Sequence, residues 1–330
     1  MSDRSPATGL RLVADIGGTW ARVALAAADG ALRDVRRFAC ARYSGPGEAI
    51  ADYLKQVEAR PLIGAIAVAA PVEDDEIALT NSPWRFSREG LRGALGLTRL
   101  EVLNDLEALA RSIPALQVGD LETLHGGRPT RRGDPALVLG VGTGLGVASL
   151  VPFAGAWRAL AGEGGHRDLA ATSDLEWRVV EVLARRFGRA SAERALSGPG
   201  LVNLLQAVDL LQGAENGRVA SSEAPPEPAE VSRAAVAGDP PSRIATDLFS
   251  GWLGAVAGDA ALTVGARCGV YLAGEMLRAM GAAFHRELFV ERFLSKGRFR
   301  SLLTTVPVGL IVHPHPTLLG AALTLGDGGE

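Results

Sequence analysis

Lysine is nearly absent from this chain. Lys55 and Lys296 are the only two, and arginine supplies the rest of its 34 basic residues. Neither lysine has the neighbours of a Walker A loop or of a pyridoxal Schiff base, so both chemistries are excluded. Cysteine is as scarce: Cys40 and Cys268 lie far apart and lack metal-ligand spacing. A disulfide framework or zinc site is not expected, and a reducing cytoplasm is. The opening MSDRSPATGL has no hydrophobic signal core. No block of like charge stands out, and the net charge is −3. Nucleic acid is therefore not an expected partner. The one long uncharged stretch, residues 135–157, is broken by Gly140, Gly142, Gly144, Gly146 and Pro152. That pattern suits a buried glycine hairpin rather than a spanning helix, so no membrane partner is expected.

What remains is ample material for a core. The chain has 330 residues, 47% apolar and 22% charged, the values of a soluble globular protein of two domains. LRLVADIGGTWARVALAA holds two apolar runs joined by Gly17-Gly18 and reads as a β-hairpin. ALVLGVGTGLGVASLV (136–151) reads as a second. Between them come a helix in EAIADYLKQVEA and strands at 65–72 and 100–105, the latter ending in Asn104-Asp105. A loop GEGGHRD (162–168), helices near 174–187 and 199–211, and strands at 269–274 and 306–313 follow, with a last helix from about Pro316. Residues 213–241 read as a surface excursion with one short helix near 229–237. Alternating strands and helices make the class α/β, and the two similar hairpins suggest two related lobes.

Four constellations carry chemistry. In Asp15-Ile-Gly17-Gly18-Thr19-Trp20-Ala-Arg22, paired glycines let backbone N–H groups approach an anion, and the aspartate could hold a metal; an ordinary tight hairpin is the rival reading. Gly140-Val-Gly142-Thr143-Gly144-Leu-Gly146 is wrongly spaced for a dinucleotide fingerprint, and no helix opens directly after it. Two such threonine-bearing turns could instead clamp a polyphosphate from two sides. Asn104-Asp105 stands at a strand tip, where α/β folds place ligand sites; it is either a general base with its neighbour or a helix cap. Glu163 and His166 share a glycine loop with Asp168, able to converge on a polar ligand or, alternatively, on a metal. Glu193, in SAERALSGPG, reads by itself as a surface residue.

Taken together, LVADIGGTWARVALA, LTNSPW, LEVLNDLEALA, GVGTGLGVASL, GEGGHRDLA, SAERALSGPGLVNL, KGRF and LIVHPHPTLLGAAL resemble the bacterial glucokinase family, in this order over roughly residues 10–325. The resemblance implies a two-lobed actin-like ATPase (ribonuclease H-like) fold with its active site in the inter-lobe cleft. The small lobe would take residues 9–115 and a C-terminal helix at about 314–330, and the large lobe 116–313. It implies ATP, Mg²⁺ and glucose as partners and a homodimer. Asp105 would be the base for the sugar 6-hydroxyl. Asn104, Glu163, His166, Glu193 and Asn81 would hold the sugar. Gly17, Gly18, Thr19, Gly142, Thr143, Gly144 and Gly274 would hold the nucleotide, with Asp15 at the metal. Two positions depart from the family pattern: Trp20 replaces a small polar residue, and Glu275 replaces the second glycine beside the adenosine. The cysteine-rich zinc motif of the related repressor/kinase group is absent. A kinase for another hexose and a non-catalytic sugar sensor are the competing readings. Asp105 favours an enzyme, because a sensor needs no base.

Overall fold

Strands form where the sequence runs apolar or alternates, and turns fall at its glycines. The computed structural model describes residues 9–79, 82–127, 133–215 and 225–326. The chain divides into two compact units: residues 1–118, 157–161 and 313–330, and residues 119–156 and 162–312.

The first unit holds β1 (Arg11–Ile16), β2 (Trp20–Ala26), β3 (Leu32–Ala39), β4 (Ile63–Val68), a short hairpin of β5 (Glu76–Ala78) and β6 (Arg85–Ser87), and β7 (Arg99–Asn104). Its main sheet runs β3-β2-β1-β4-β7. The β1–β2 and β2–β3 pairs are antiparallel, and β4 lies parallel to both β1 and β7. Gly64 to Val68 are all buried, which explains an apolar run without alternation: helices cover both faces. On one face Leu12, Ile16, Ile66 and Val68 meet Ala49, Ile50 and Tyr53 of the helix Pro46–Val57. On the other, Val13, Ala24, Ala65 and Ala67 meet Leu318, Ala321 and Ala322 of the helix Pro316–Thr324. That last helix lies so close to the helix Asp105–Ser112 that a Cβ on Gly320 would come 1.6 Å from the Ala108 carbonyl oxygen. Only glycine fits there.

The second unit holds β8 (Leu121–His125), β9 (Ala136–Val141), β10 (Leu145–Phe153), β12 (Gly269–Ala273) and β13 (Val308–Ile311); β11 (Ala156–Gly162) follows β10 along the chain, and its residues 157–161 are counted with the first unit. Side by side the order is β10-β9-β12-β13-β8. β9 pairs antiparallel with β10 and parallel with β12. The uncharged stretch is thus a hairpin, and among the described residues no helix is long and apolar enough to cross a membrane. The core is built on the helix Pro240–Val264, whose Trp252 is buried and donates its indole N–H to the Ala170 carbonyl at 2.8 Å. The short helix of the excursion is Pro228–Val236; residues 216–224 lie outside the described residues. The strand expected at 100–105 stops at Asn104, and Asp105 already belongs to the following helix.

One buried charge pair links the helices Asp174–Phe187 and Arg286–Leu294. Glu176, 4% exposed, accepts from the Arg292 guanidinium and from Thr172 N–H and hydroxyl at 2.6 and 2.9 Å. Burial alone would raise this carboxyl; the arginine and the two threonine donors outweigh it and hold the pKa below the ordinary value. A carboxyl depressed on folding adds stability above its unfolded pKa, and that contribution fades as pH falls through the folded value. Arg292→Met should therefore cost about 3–5 kcal/mol at pH 7, because the carboxylate is left buried and unpaired. Urea titrations at pH 7 and pH 4 should show the difference from wild type shrinking in acid, where the stranded carboxyl takes up a proton.

Candidate active site

The first glycine turn joins β1 to β2. Gly17 N–H donates to the Trp20 carbonyl at 3.0 Å, and the Thr19 carbonyl accepts Cys40 N–H at 2.9 Å. The Cys40 thiol donates to the Gly17 carbonyl, and burial pushes its pKa up, so it stays protonated as a donor. The base of the turn is fixed, while Thr19 is exposed. Asp15 lies opposite Arg22 across the hairpin, Oδ2 to Nη1 3.3 Å. Arg22 closes the motif that the sequence singles out but has no role assigned there, though a signal was present: Asp15 and Arg22 are equally far from the Gly18–Thr19 midpoint. Among the described residues no group of three or more His, Cys, Asp or Glu could hold a metal ion. A single carboxylate beside a glycine turn is a donor set that would fit Mg²⁺, which keeps waters and substrate oxygens in its shell. Trp20 is turned onto its neighbouring strand, with the Arg37 guanidinium 3.8 Å from the ring centre. Both line a cavity of about 440 Å³ with Arg42, Tyr43, Asp52 and Gln56.

At the tip of β7, Asn104 is the helix cap. Its Oδ1 accepts from Leu106 N–H at 2.9 Å and Glu107 N–H at 3.3 Å, and its Nδ2 donates to the Ala70 carbonyl at 3.2 Å. Asp105 is the first helical residue, and its Oδ1 accepts from Leu106 N–H at 2.9 Å. An acidic residue there complements the positive end of the helix dipole.

The second turn, Gly142-Thr143-Gly144, joins β9 to β10. Gly142 N–H donates to the Gly144 carbonyl at 2.9 Å, and the Gly142 carbonyl accepts from Gly198 N–H at 2.8 Å, where the helix Gly198–Glu215 begins. Gly274, with φ +129°, ends β12 so close to this turn that a Cβ would come 1.9 Å from the Val141 carbonyl oxygen. Glu275 is exposed in the first turn of the short helix Glu275–Met280.

Three expected sugar residues gather beside that turn. The loop Glu163–His166 lies flat on β10: a Cβ on Gly165 would come 1.8 Å from the Leu145 carbonyl oxygen. Backbone bonds from Leu169 N–H to Ala190 and from Ala192 N–H to Arg167, at 3.0 and 2.8 Å, then zip the loop to the segment carrying Glu193. As a result His166 stands 3.8 Å from Glu163 and 4.0 Å from Glu193. The other Glu193 oxygen accepts Leu145 N–H at 3.0 Å. Glu163 is 81% and His166 57% exposed, so two acceptors and an imidazole face solvent at spacings a bound polyol could bridge. Asn81 lies outside the described residues.

A family model described as Glucokinase matches residues 12–327. The glucokinase of Paramagnetospirillum magneticum is 46% identical over 320 residues, covering 96% of this chain and 97% of that protein. The crystal structure of glucokinase from an Antarctic psychrotroph superposes with a TM-score of 0.85 at 33% identity, over 97% of this chain and 99% of that one. A ROK family glucokinase from Streptomyces griseus, solved with glucose and AMPPNP, covers 96% of this chain and 99% of its own, with a TM-score of 0.64 at 21% identity. At that identity it speaks for the fold alone.

Gly165→Ala tests how the loop is held. Its methyl group meets backbone, which cannot swing aside, so the loop must lift from β10. The expected cost is about 1–3 kcal/mol, read as a lowered denaturation midpoint with an unchanged slope.

Proposed function

This chain belongs to the glucokinase family, and on that premise we propose how its residues carry the transfer of the ATP γ-phosphoryl group to glucose. The activity itself follows from full-length similarity to glucokinases; the residue roles are our reading. The observation that carries it is the gathering of Glu163, His166 and Glu193 beside the second glycine turn, with Glu193 bonded to that turn at Leu145 N–H.

Glu163 and Glu193 accept from sugar hydroxyls and His166 shares a third. Asp105 takes the proton of the 6-hydroxyl as that oxygen attacks the γ-phosphorus. The new O–P bond forms as the bond to the β-phosphate oxygen breaks, and ADP leaves. Asn104 has one amide hydrogen beyond the one given to Ala70; we assign that hydrogen to the sugar. Asn81 is carried as a further sugar contact. Backbone N–H groups of Gly17, Gly18, Thr19 and of Gly142, Thr143, Gly144 cradle the phosphates, and Gly274 lets the nucleotide approach closely. Asp15 would hold Mg²⁺, which when bound neutralises phosphate charge. We extend the reading to a homodimer in the cytoplasm; two buried free cysteines suit a reducing compartment.

A coupled assay for glucose 6-phosphate, with mannose, fructose and glucosamine alongside, should show turnover that prefers glucose. Asp105→Ala should lower turnover about 10²–10⁴-fold while calorimetry still detects glucose. Near-wild-type turnover in that variant would remove Asp105 as the base.

A further inference from the structure

In a chain this poor in lysine, Lys296 occupies a particular place. It is one of only two lysines, its side chain is 14% exposed, and its ammonium lies 2.6 Å from Asp259 Oδ1. The other Asp259 oxygen accepts from Arg167 Nη2 at 3.2 Å, and the same nitrogen donates to the Val256 carbonyl at 3.3 Å. Arg167 directly follows His166 in the loop. One carboxylate therefore joins two cations: one leaves the sugar loop, the other stands in the turn after the helix Arg286–Leu294. Both meet on the long buried helix Pro240–Val264. On the loop's other flank, Arg189 donates to the His166 carbonyl at 2.6 Å and to Asp168.

We propose that Asp259, with Arg167 and Lys296, is a positioning device for glucose: it ties the exit of the loop carrying Glu163 and His166 to the rigid core of the second unit. None of the three is placed on substrate. The inference rests on the assignment of that loop to the sugar. Its physical basis is the contrast in exposure. The Glu163 and His166 side chains are exposed and stand 3.8 Å apart, and the bond that joins the two residues is a backbone one, His166 N–H to the Glu163 carbonyl at 3.0 Å, so it is the loop backbone that restrains them. Charge-assisted bonds on a partly shielded carboxylate give such a loop one geometry before the sugar arrives. The lysine itself suits its slot. Its Cε sits 2.8 Å from where a Cβ on Gly258 would be. A slim methylene stem ending in a point charge passes that glycine, and a planar guanidinium is broader.

The test uses the full chain with Asp259→Asn, Lys296→Met and Arg167→Met, each checked for folding by thermal denaturation. Arg167→Met releases the loop while keeping the Asp259–Lys296 pair, so it remains informative if the other two fail to fold. Glucose KM and glucose Kd by calorimetry should both rise about tenfold or more, as for a misplaced binding group, with ATP KM within about twofold. Unchanged glucose KM and Kd in a folded variant would overturn the proposal. So would an equal rise in both KM values, or a loss of kcat alone, since either marks a general structural role. Wild-type enzyme run in parallel separates the two levels. If it fails to phosphorylate glucose, the assignment beneath the proposal falls; if it succeeds while the variants match it, only the positioning role falls.

Discussion

The Glu193 carboxylate faces two ways, and the organisation of the second unit's site depends on it. One oxygen accepts Leu145 N–H, where β10 leaves the glycine turn; the other faces His166. A hydrogen bond to an ionised acceptor contributes roughly 1.5–3 kcal/mol, more than the few tenths typical of an exposed ion pair. The Leu145 bond thus fixes the carboxylate, and the weaker His166 contact at 4.0 Å follows from it. That contact stays open to a sugar hydroxyl because neither partner is already satisfied by the other. The same carboxylate leaves no room for a side chain at Gly144, where a Cβ would come 2.5 Å from its oxygen. The glycine turn and the loop beside it therefore share the Glu193 carboxylate, so a change at either is felt at the other.

The first unit solves a similar problem with a helix start instead of a loop. Asn104 spends its oxygen on two helix N–H groups and one amide hydrogen on Ala70. Asp105 is thereby held at the first helical position rather than at the cap. The amide at the cap accepts from the helix N–H groups, and the carboxylate one residue later takes Leu106 N–H on one oxygen; the proposed role of Asp105 as base starts from this placement. The close approach at Gly320 anchors that helix from behind through Ala108, one turn along from Asp105.

These arrangements explain which features could be read from the chain. Both hairpins were legible because paired glycines interrupt uniformly apolar strands. The helix Asp174–Phe187 was legible at both ends because Ser173 caps it and Gly188 closes it in the left-handed conformation. The edge strand Leu32–Ala39 was missed, since Arg33, Asp34, Arg36 and Arg37, four of its eight residues, are charged and exposed, and among the described residues its outer edge has no partner strand to demand apolar alternation. The helix Pro240–Val264 showed no stripe, because a helix buried on most sides has none to show. Asn104 and Asp105 could not be told apart as cap and base: both are cap-type residues, and the choice depends on where the strand stops. Asp259 was illegible for another reason. Its partners come from segments 92 and 37 positions away, and an aspartate in a largely apolar helix announces neither.

Trp20 and Glu275, the two departures from the family pattern, become intelligible at the same level. Trp20 belongs to β2 rather than to the turn proper, and its ring takes the Arg37 guanidinium of the adjacent strand. A cation over an aromatic face is favourable by about 0.5–1 kcal/mol at an exposed site, so the bulky residue is accommodated outside the phosphate turn. The backbone closure of that turn, Gly17 N–H to the Trp20 carbonyl, uses no side-chain atom and is indifferent to the substitution. Glu275 stands in the first helical turn, where an acidic residue complements the helix dipole. It is Gly274 before it, pressed against Val141, that has no room for any other residue. In both places the constraint in this chain falls on backbone geometry, and the neighbouring side chain is accommodated by its own surroundings.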